Sequence, residues 1–282
     1  MVKKDIDKIC EKYRIRNYII NEDGSIDVNG DVDLCDSGLI ELPLKFNKVF
    51  GFFDCGYNKL TSLKGSPKYV ELDFNCEHND LTNLEYGPEY VGGFFDCNHN
   101  FLVTLKESPK EILGDFNCSY NRLTSLEGCV MELGGLDCSN NKLTSLKYGP
   151  EIINICFDCS SNYLTSLEYG PVEVGESFYC SNNYLTSLEH SPKKVGDDYF
   201  CNNNKLMDLY GISEEIGQYV YCGGTNPISV IFHKEDLDTI KRFNGYKIIK
   251  DNKVNLKRLK YFMELFDIHY NLNKIEKHYE II

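Results

Sequence analysis

Apolar residues recur along most of this chain in one order: an aromatic or aliphatic residue, a cysteine two positions later, then leucines five and eight positions past the cysteine. Phe53, Cys55, Leu60 and Leu63 state the phrase, and Phe157, Cys159, Leu164 and Leu167 repeat it. The cysteine returns at Cys55, Cys76, Cys97, Cys118, Cys138, Cys159, Cys180, Cys201 and Cys222, at 21-residue intervals except for the 20 between Cys118 and Cys138. Three positions after the cysteine stands an asparagine: Asn58, Asn79, Asn100, Asn121, Asn141, Asn162, Asn183 or Asn204. A fixed period of this length with the spacing L-x-x-N-x-L, cysteine replacing the first leucine, predicts a leucine-rich repeat solenoid.

Within each repeat, side chains two apart on a strand share a face. Strands are therefore expected around Phe53, Phe74, Phe95, Phe116, Leu136, Phe157, Phe178, Tyr199 and Val220, with those residues and the cysteines facing inward. Successive rungs would make one curved parallel sheet on the concave side. The asparagines fall where the chain leaves the sheet, where a buried amide satisfies backbone groups of its own and the next rung. Pro67, Pro88, Pro109, Pro150, Pro171 and Pro192 follow in the return path. Proline there, and so few residues left per rung, predict an extended, polyproline-like and helix-poor convex side. The 20-residue interval has Val130 where its proline would be.

The ends break the period. Residues 1–30 predict an N-terminal cap: Ile6, Ile9 and Cys10 have the spacing of a short amphipathic helix, and the turn 21–25 separates two apolar stretches of a hairpin. A degenerate first rung follows, in which Leu34 occupies the cysteine position and Cys35 points outward, so the array of about ten rungs runs over 31–225. Residues 226–282 predict a helical C-terminal cap, with helices over 233–244 and 254–268. The second carries Leu256, Leu259, Phe262, Met263 and Phe266 on one face. Caps are expected because terminal repeats otherwise expose the apolar core.

Composition adds less. The chain has 282 residues, 42% apolar and 26% charged, as in ordinary globular proteins. No stretch reads as a signal peptide or a membrane span, so a cytoplasmic protein with no membrane partner is expected. Thirteen cysteines are an odd number, and nine occupy one core column. Free thiols packed as small hydrophobes are the expectation, although rungs about 4.8 Å apart would allow bridging by distance. Cys156 and Cys159 form the one C-x-x-C, and on a strand they face opposite sides, so metal binding is not expected. The net charge of −13 is uneven. Residues 31–225 carry 13 basic and 29 acidic side chains, net −16, whereas 226–282 carry 11 and 8, net +3. An array this acidic repels nucleic acid.

Candidate binding chemistry lies on the outward strand positions. Just before each cysteine stand Asp54, Asn75, Asp96, Asn117, Asp137, Asp158, Tyr179, Phe200 and Tyr221, with Tyr219 two residues before the last. The concave face is thus acid and amide along most of its length and aromatic at one end. Such a face suits a protein partner with a basic surface: carboxylates steer it, and the aromatics anchor it. The bland alternatives are that the acids are solvated filler and that the C-terminal cap covers the aromatics. His78 and His99 become neighbours in the solenoid, but same-column proximity alone is weak support for zinc or acid–base chemistry. No P-loop, nucleophile elbow, HExxH or EF-hand pattern occurs, so neither an enzyme nor a cofactor is expected.

The phrase Leu-Thr-Ser-Leu with proline in the following loop resembles the short repeats of secreted bacterial effectors. Asn21-Glu22-Asp23-Gly24-Ser25-Ile26-Asp27-Val28, the stretch Leu39-x-x-Leu42-Pro43 and Asn226-Pro227-Ile228 extend a resemblance to leucine-rich repeat proteins of bacteriophages and large DNA viruses over nearly the whole chain. That resemblance implies protein binding, in the host cytoplasm or on a virion. No cysteine follows Cys222, so the thioester ligase domain carried by some effector relatives is not expected. Two functions are carried forward: a non-enzymatic binding module using the concave face, and an assembly protein that self-associates through solenoid ends or the cap.

Overall fold

The computed structural model describes residues 2–282, which divide into two compact units, one ending at Ile153 and the other spanning Asn154–Ile282. Each unit is a leucine-rich repeat solenoid.

The first unit opens with α1 (Lys3–Lys12), which buries Ile6 and Cys10. Tyr18–Ile20 and Ile26–Val28 then form the expected antiparallel hairpin, with Ile19 opposite Asp27. Val32–Asp33, Phe53–Asp54, Phe74–Asn75, Phe95–Asp96, Phe116–Asn117 and Leu136–Asp137 pair in parallel, each residue beside its counterpart one repeat away. The ladder is built from single bonds such as Cys55 N–H to Asn75 O at 2.8 Å. Its inward columns are sealed: Phe53, Phe74, Phe95, Phe116 and the cysteines beside them have no exposed surface. Phe53 and Phe74 stack at 5.3 Å, so the core is a file of rings beside a file of thiols. Leu34 is buried in the cysteine position and Cys35 lies outside it, as the phase of the repeat requires.

Each asparagine locks two rungs, one of them preceding rather than following its own. Asn79 Oδ1 accepts the N–H of Leu60, and its Nδ2 donates to the carbonyls of Cys55, Cys76 and Glu77. These are the backbone groups left unpaired where the strand ends, which is why an amide, donor and acceptor together, is needed there.

The return path is extended, as expected, but more regular than polyproline. Ile26–Val28, Phe46–Val49, Tyr69–Val70, Tyr90–Val91 and Glu111–Ile112 form a second parallel ladder. After each proline the chain regains free N–H groups, and stacking at the repeat spacing places them opposite the carbonyls of the preceding rung: Gly92 donates to Val70 O at 3.0 Å. The 20-residue repeat loses its residue at the corner between the ladders. Leu133 and Leu136 are three apart, where Val70 and Phe74 are four apart, and that repeat contributes no second-ladder strand.

In the second unit, Phe157–Asp158, Phe178–Tyr179, Tyr199–Phe200 and Tyr219–Tyr221 continue the same design. Glu173–Val174, Lys194–Val195 and Glu215–Ile216 form its second ladder. Backbones approach so closely at the corners that a methyl group on Gly196 would collide with the carbonyl of Gly175, and one on Gly217 with that of Gly196. Asn226 fills the asparagine role for the last rung, donating to Cys201 O at 2.8 Å and Cys222 O at 3.0 Å.

Beyond Asn226 the structure departs from the predicted helix over 233–244. Lys234–Asp236 is a strand, antiparallel to Tyr219–Tyr221, and α2 (Leu237–Gly245) starts only after it. Asp236 is the reason for the later start: its carboxylate accepts the N–H of Thr239 at 2.8 Å and caps the helix. A hairpin (Ile249–Lys250 with Lys253–Val254), α3 (Leu256–Phe266), the short α4 (Leu272–Ile275) and Glu280–Ile281 complete the cap. Phe232, Phe243 and Phe262 form its core, and Tyr279 Oη donates to Met207 O at 2.6 Å, tying it to the last repeats. No helix among the described residues is long and apolar enough to cross a membrane.

Candidate functional site

The acid and amide positions of the outward face do structural work first. Asp54, Asn75, Asp96, Asn117, Asp137 and Asp158 each accept the backbone N–H two residues on, at 2.8–3.1 Å. These are Asx turns that lead the chain off the strand toward the buried asparagine. Asp31, Asp73, Asp115 and Asp198, two residues earlier in their rungs, accept an N–H from the following rung.

In the first unit the column alternates Asp54, Asn75, Asp96, Asn117, Asp137. Asn75 Nδ2 donates to Asp54 Oδ2 at 3.4 Å, and Asn117 Nδ2 to Asp96 Oδ2 at 3.3 Å. Neutral amides placed between carboxylates remove the like-charge contacts that an all-aspartate column would suffer. Asp96 is not a solvated side chain: it is 8% exposed, and burial pushes its carboxyl up to about 6. Burial, with the nearby Asp33 and Glu77, also raises Asp54.

At the other end of the sequence pattern, within the second unit, Tyr179, Phe200 and Tyr221 form a continuous ring stack. Their centroids are 4.6 and 4.5 Å apart with planes within 10° of parallel. Tyr219 stands 42% exposed beside it. The cap does not bury these rings. It adds the strand Lys234–Asp236 at the sheet edge, and the Lys234 ammonium lies 3.9 Å from the Tyr219 ring centroid and 5.0 Å from that of Tyr221. The result is a half-buried aromatic strip ending in a cation. Lys234 is the residue that sequence reasoning missed; it joins the strip only because the chain reverses after Phe232, and no periodicity marks that reversal.

The histidines form a second ring file. Tyr57, His78, His99 and Tyr120 stack at 4.4, 4.1 and 4.2 Å, all with left-handed backbone in the turn after the cysteine. His99 Nδ1 lies 2.6 Å from Asn98 Oδ1, which accepts its hydrogen. Burial and the facing His78 hold the His99 imidazole below its ordinary value. Rings stacked face to face direct their nitrogens along the surface rather than at a shared point. Among the described residues no three metal-ligating side chains converge.

Two sealed inward columns and an asparagine lock in each rung define a leucine-rich repeat protein. No family model matches the chain, and no curated protein does. Among solved structures it is similar to YopM from Yersinia enterocolitica WA-314, with 22% identity over 70% of this chain and 53% of that one, at a TM-score of 0.43. The chain therefore spans about half the length of that structure.

Proposed function

We propose that this protein is a non-enzymatic binding module that holds a protein partner against the outward face of its cysteine-strand ladder, the face expected to be concave. The observation that carries this reading is the strip Tyr179–Phe200–Tyr221, stacked, half-buried and ended by Lys234. Rigid aromatic rings lose little entropy on contact and dominate interface energetics. The carboxylates of the first unit, although engaged by their Asx turns and by Asn75 and Asn117, give this face a negative charge that favours a partner with a basic surface. Packed thiols in the core suit a reducing compartment. With the resemblance to phage and large-virus repeat proteins, this favours a virus-encoded protein acting on a host protein in the host cytoplasm.

Affinity capture from host lysate with the wild type and the Tyr179→Ser/Phe200→Ser/Tyr221→Ser variant tests the reading. A protein retained by the wild type and lost from a folded variant is expected. Equal retention by both removes the face from the reading.

The alternative, an assembly role, is favoured by a separate observation: each solenoid unit presents an unpaired strand edge.

A further inference from the structure

The second ladder of the first unit begins, and that of the second unit ends, in an open edge, and the two edges are of opposite character. Its first strand is Tyr18–Ile20, antiparallel to Ile26–Val28. Asn29 N–H donates to Asn17 O, and Asn21 N–H donates to Ser25 O. Because antiparallel backbone groups alternate sides, these bonds turn Tyr18 and Ile20 outward, with N–H and C=O free for a further strand. Among the described residues no hydrogen bond reaches those four groups.

In the second unit, Glu215–Ile216 is the last strand of the second ladder. Glu215 N–H donates back to Lys193 O and Gly217 N–H back to Val195 O, so Ile216 faces forward with both backbone groups free among the described residues. The first ladder of this unit is closed by Lys234–Asp236, but that strand then swings into α2 and leaves the second ladder uncovered. Between Glu215–Ile216 and the start of α2 lies a groove of about 500 Å³.

The charges of the two edges are complementary. Residues 12–20 carry Lys12, Arg14 and Arg16 and no acid, and Arg14 and Arg16 are exposed with no ion-pair partner among the described residues. Glu11 and Glu22 flank the segment. The groove is walled by Glu214, Glu215, Asp236 and Asp238 against Lys194 and Lys241, and Lys241 Nζ is engaged by Glu214 O at 2.6 Å. The apolar surfaces also correspond: half-buried Tyr18 and Ile20 on the first edge share the inward face with Ile216, which lines the second together with Leu237.

We infer that copies of this chain associate head to tail, the edge Tyr18–Ile20 of one copy adding as an antiparallel strand to the edge Glu215–Ile216 of the next. Pairing Tyr18 with Ile216 satisfies the four free groups of that pair, keeps Tyr18 and Ile20 on the inward face, and carries Arg16 past Gln218 toward Asp236 and Asp238. The contact is heterologous, so both edges of every copy are used except at the ends of an assembly. Open edges left uncovered invite non-specific pairing, and matched charges select this pairing over others. The interface does not involve Tyr179, Phe200 or Tyr221, so it stands or falls separately from the proposed binding face.

Sedimentation equilibrium of the full chain, across a wide concentration range at low and high salt, tests the inference. The expected result is a mass that rises with concentration and falls with salt. Arg14→Glu/Arg16→Glu alone and Glu214→Arg/Glu215→Arg alone should each weaken association about tenfold or more. Mixing the two variants should restore it, because the reversed edges match each other and the two unaltered edges still match. A strict monomer at all concentrations overturns the inference, as does association that neither variant weakens.

Discussion

The side-chain amide of Asn79 donates to the carbonyl oxygen of Cys55, 24 residues earlier, at 3.0 Å. The same side chain accepts the Leu60 N–H at 2.8 Å, so one residue closes the turn of its own rung onto the rung before. All these groups are buried, and water cannot replace the lost partner.

Asn79→Ala should therefore destabilise the protein by roughly 2–4 kcal/mol, the cost of several buried backbone groups left unpaired. Lys59→Ala, an exposed change in the rung that Asn79 locks onto, should stay within about 0.5 kcal/mol. Urea unfolding followed by circular dichroism measures both, and equal effects would remove the lock from the account of stability.

Asp96 has the opposite sign. Its carboxyl is raised by burial to about 6 in the folded chain against 3.8 in the open one. Its contribution is fully present below about pH 4 and is lost as pH rises through 6, because the ionised form is the one that burial penalises. Asp96→Asn should stabilise the protein by on the order of 1 kcal/mol at pH 7.5 and by much less at pH 4. Unfolding curves at the two pH values compare them; a variant less stable than wild type at pH 7.5 contradicts the prediction.

Thiol chemistry checks the core. Eleven cysteines are buried, and Cys35 and Cys156 are partly exposed. Burial pushes Cys180 up to about 12, and its Sγ lies 3.4 Å from the Phe200 carbonyl oxygen. Ellman's reagent should titrate the exposed pair quickly in native protein and all thirteen thiols after denaturation without reductant. A denatured count well below thirteen would mean bridged rungs.

Much of the fold was legible because every rung meets a near-copy of itself. Once Phe53 and Cys55 are read as inward, Asp54 must face out, and the same holds 21 residues further on. The asparagine lock was legible for a similar reason, though not its direction: it bonds the preceding rung, which depends on the path of the chain leaving the strand. The aromatic strip was legible as a column of residues, but its half-buried stacking and its end at Lys234 were not.

The repeat by itself determined the two inward columns, the asparagine turns, the aromatic positions and the rung count, since each follows from residues one period apart with identical surroundings. Only the tertiary structure decided what happens where surroundings differ. Residues 234–236 became a strand because the edge Tyr219–Tyr221 offered unpaired backbone, and that outweighed their place in a helical pattern. Asp96 became buried because Asn98 and Asn117 close over it from its own and the next rung. The return path became a second sheet because stacking brought free N–H groups opposite free carbonyls. In each case the deciding partner is a backbone or amide group in another rung or in the cap, and hydrogen bonding to it outweighs local propensity wherever water is excluded.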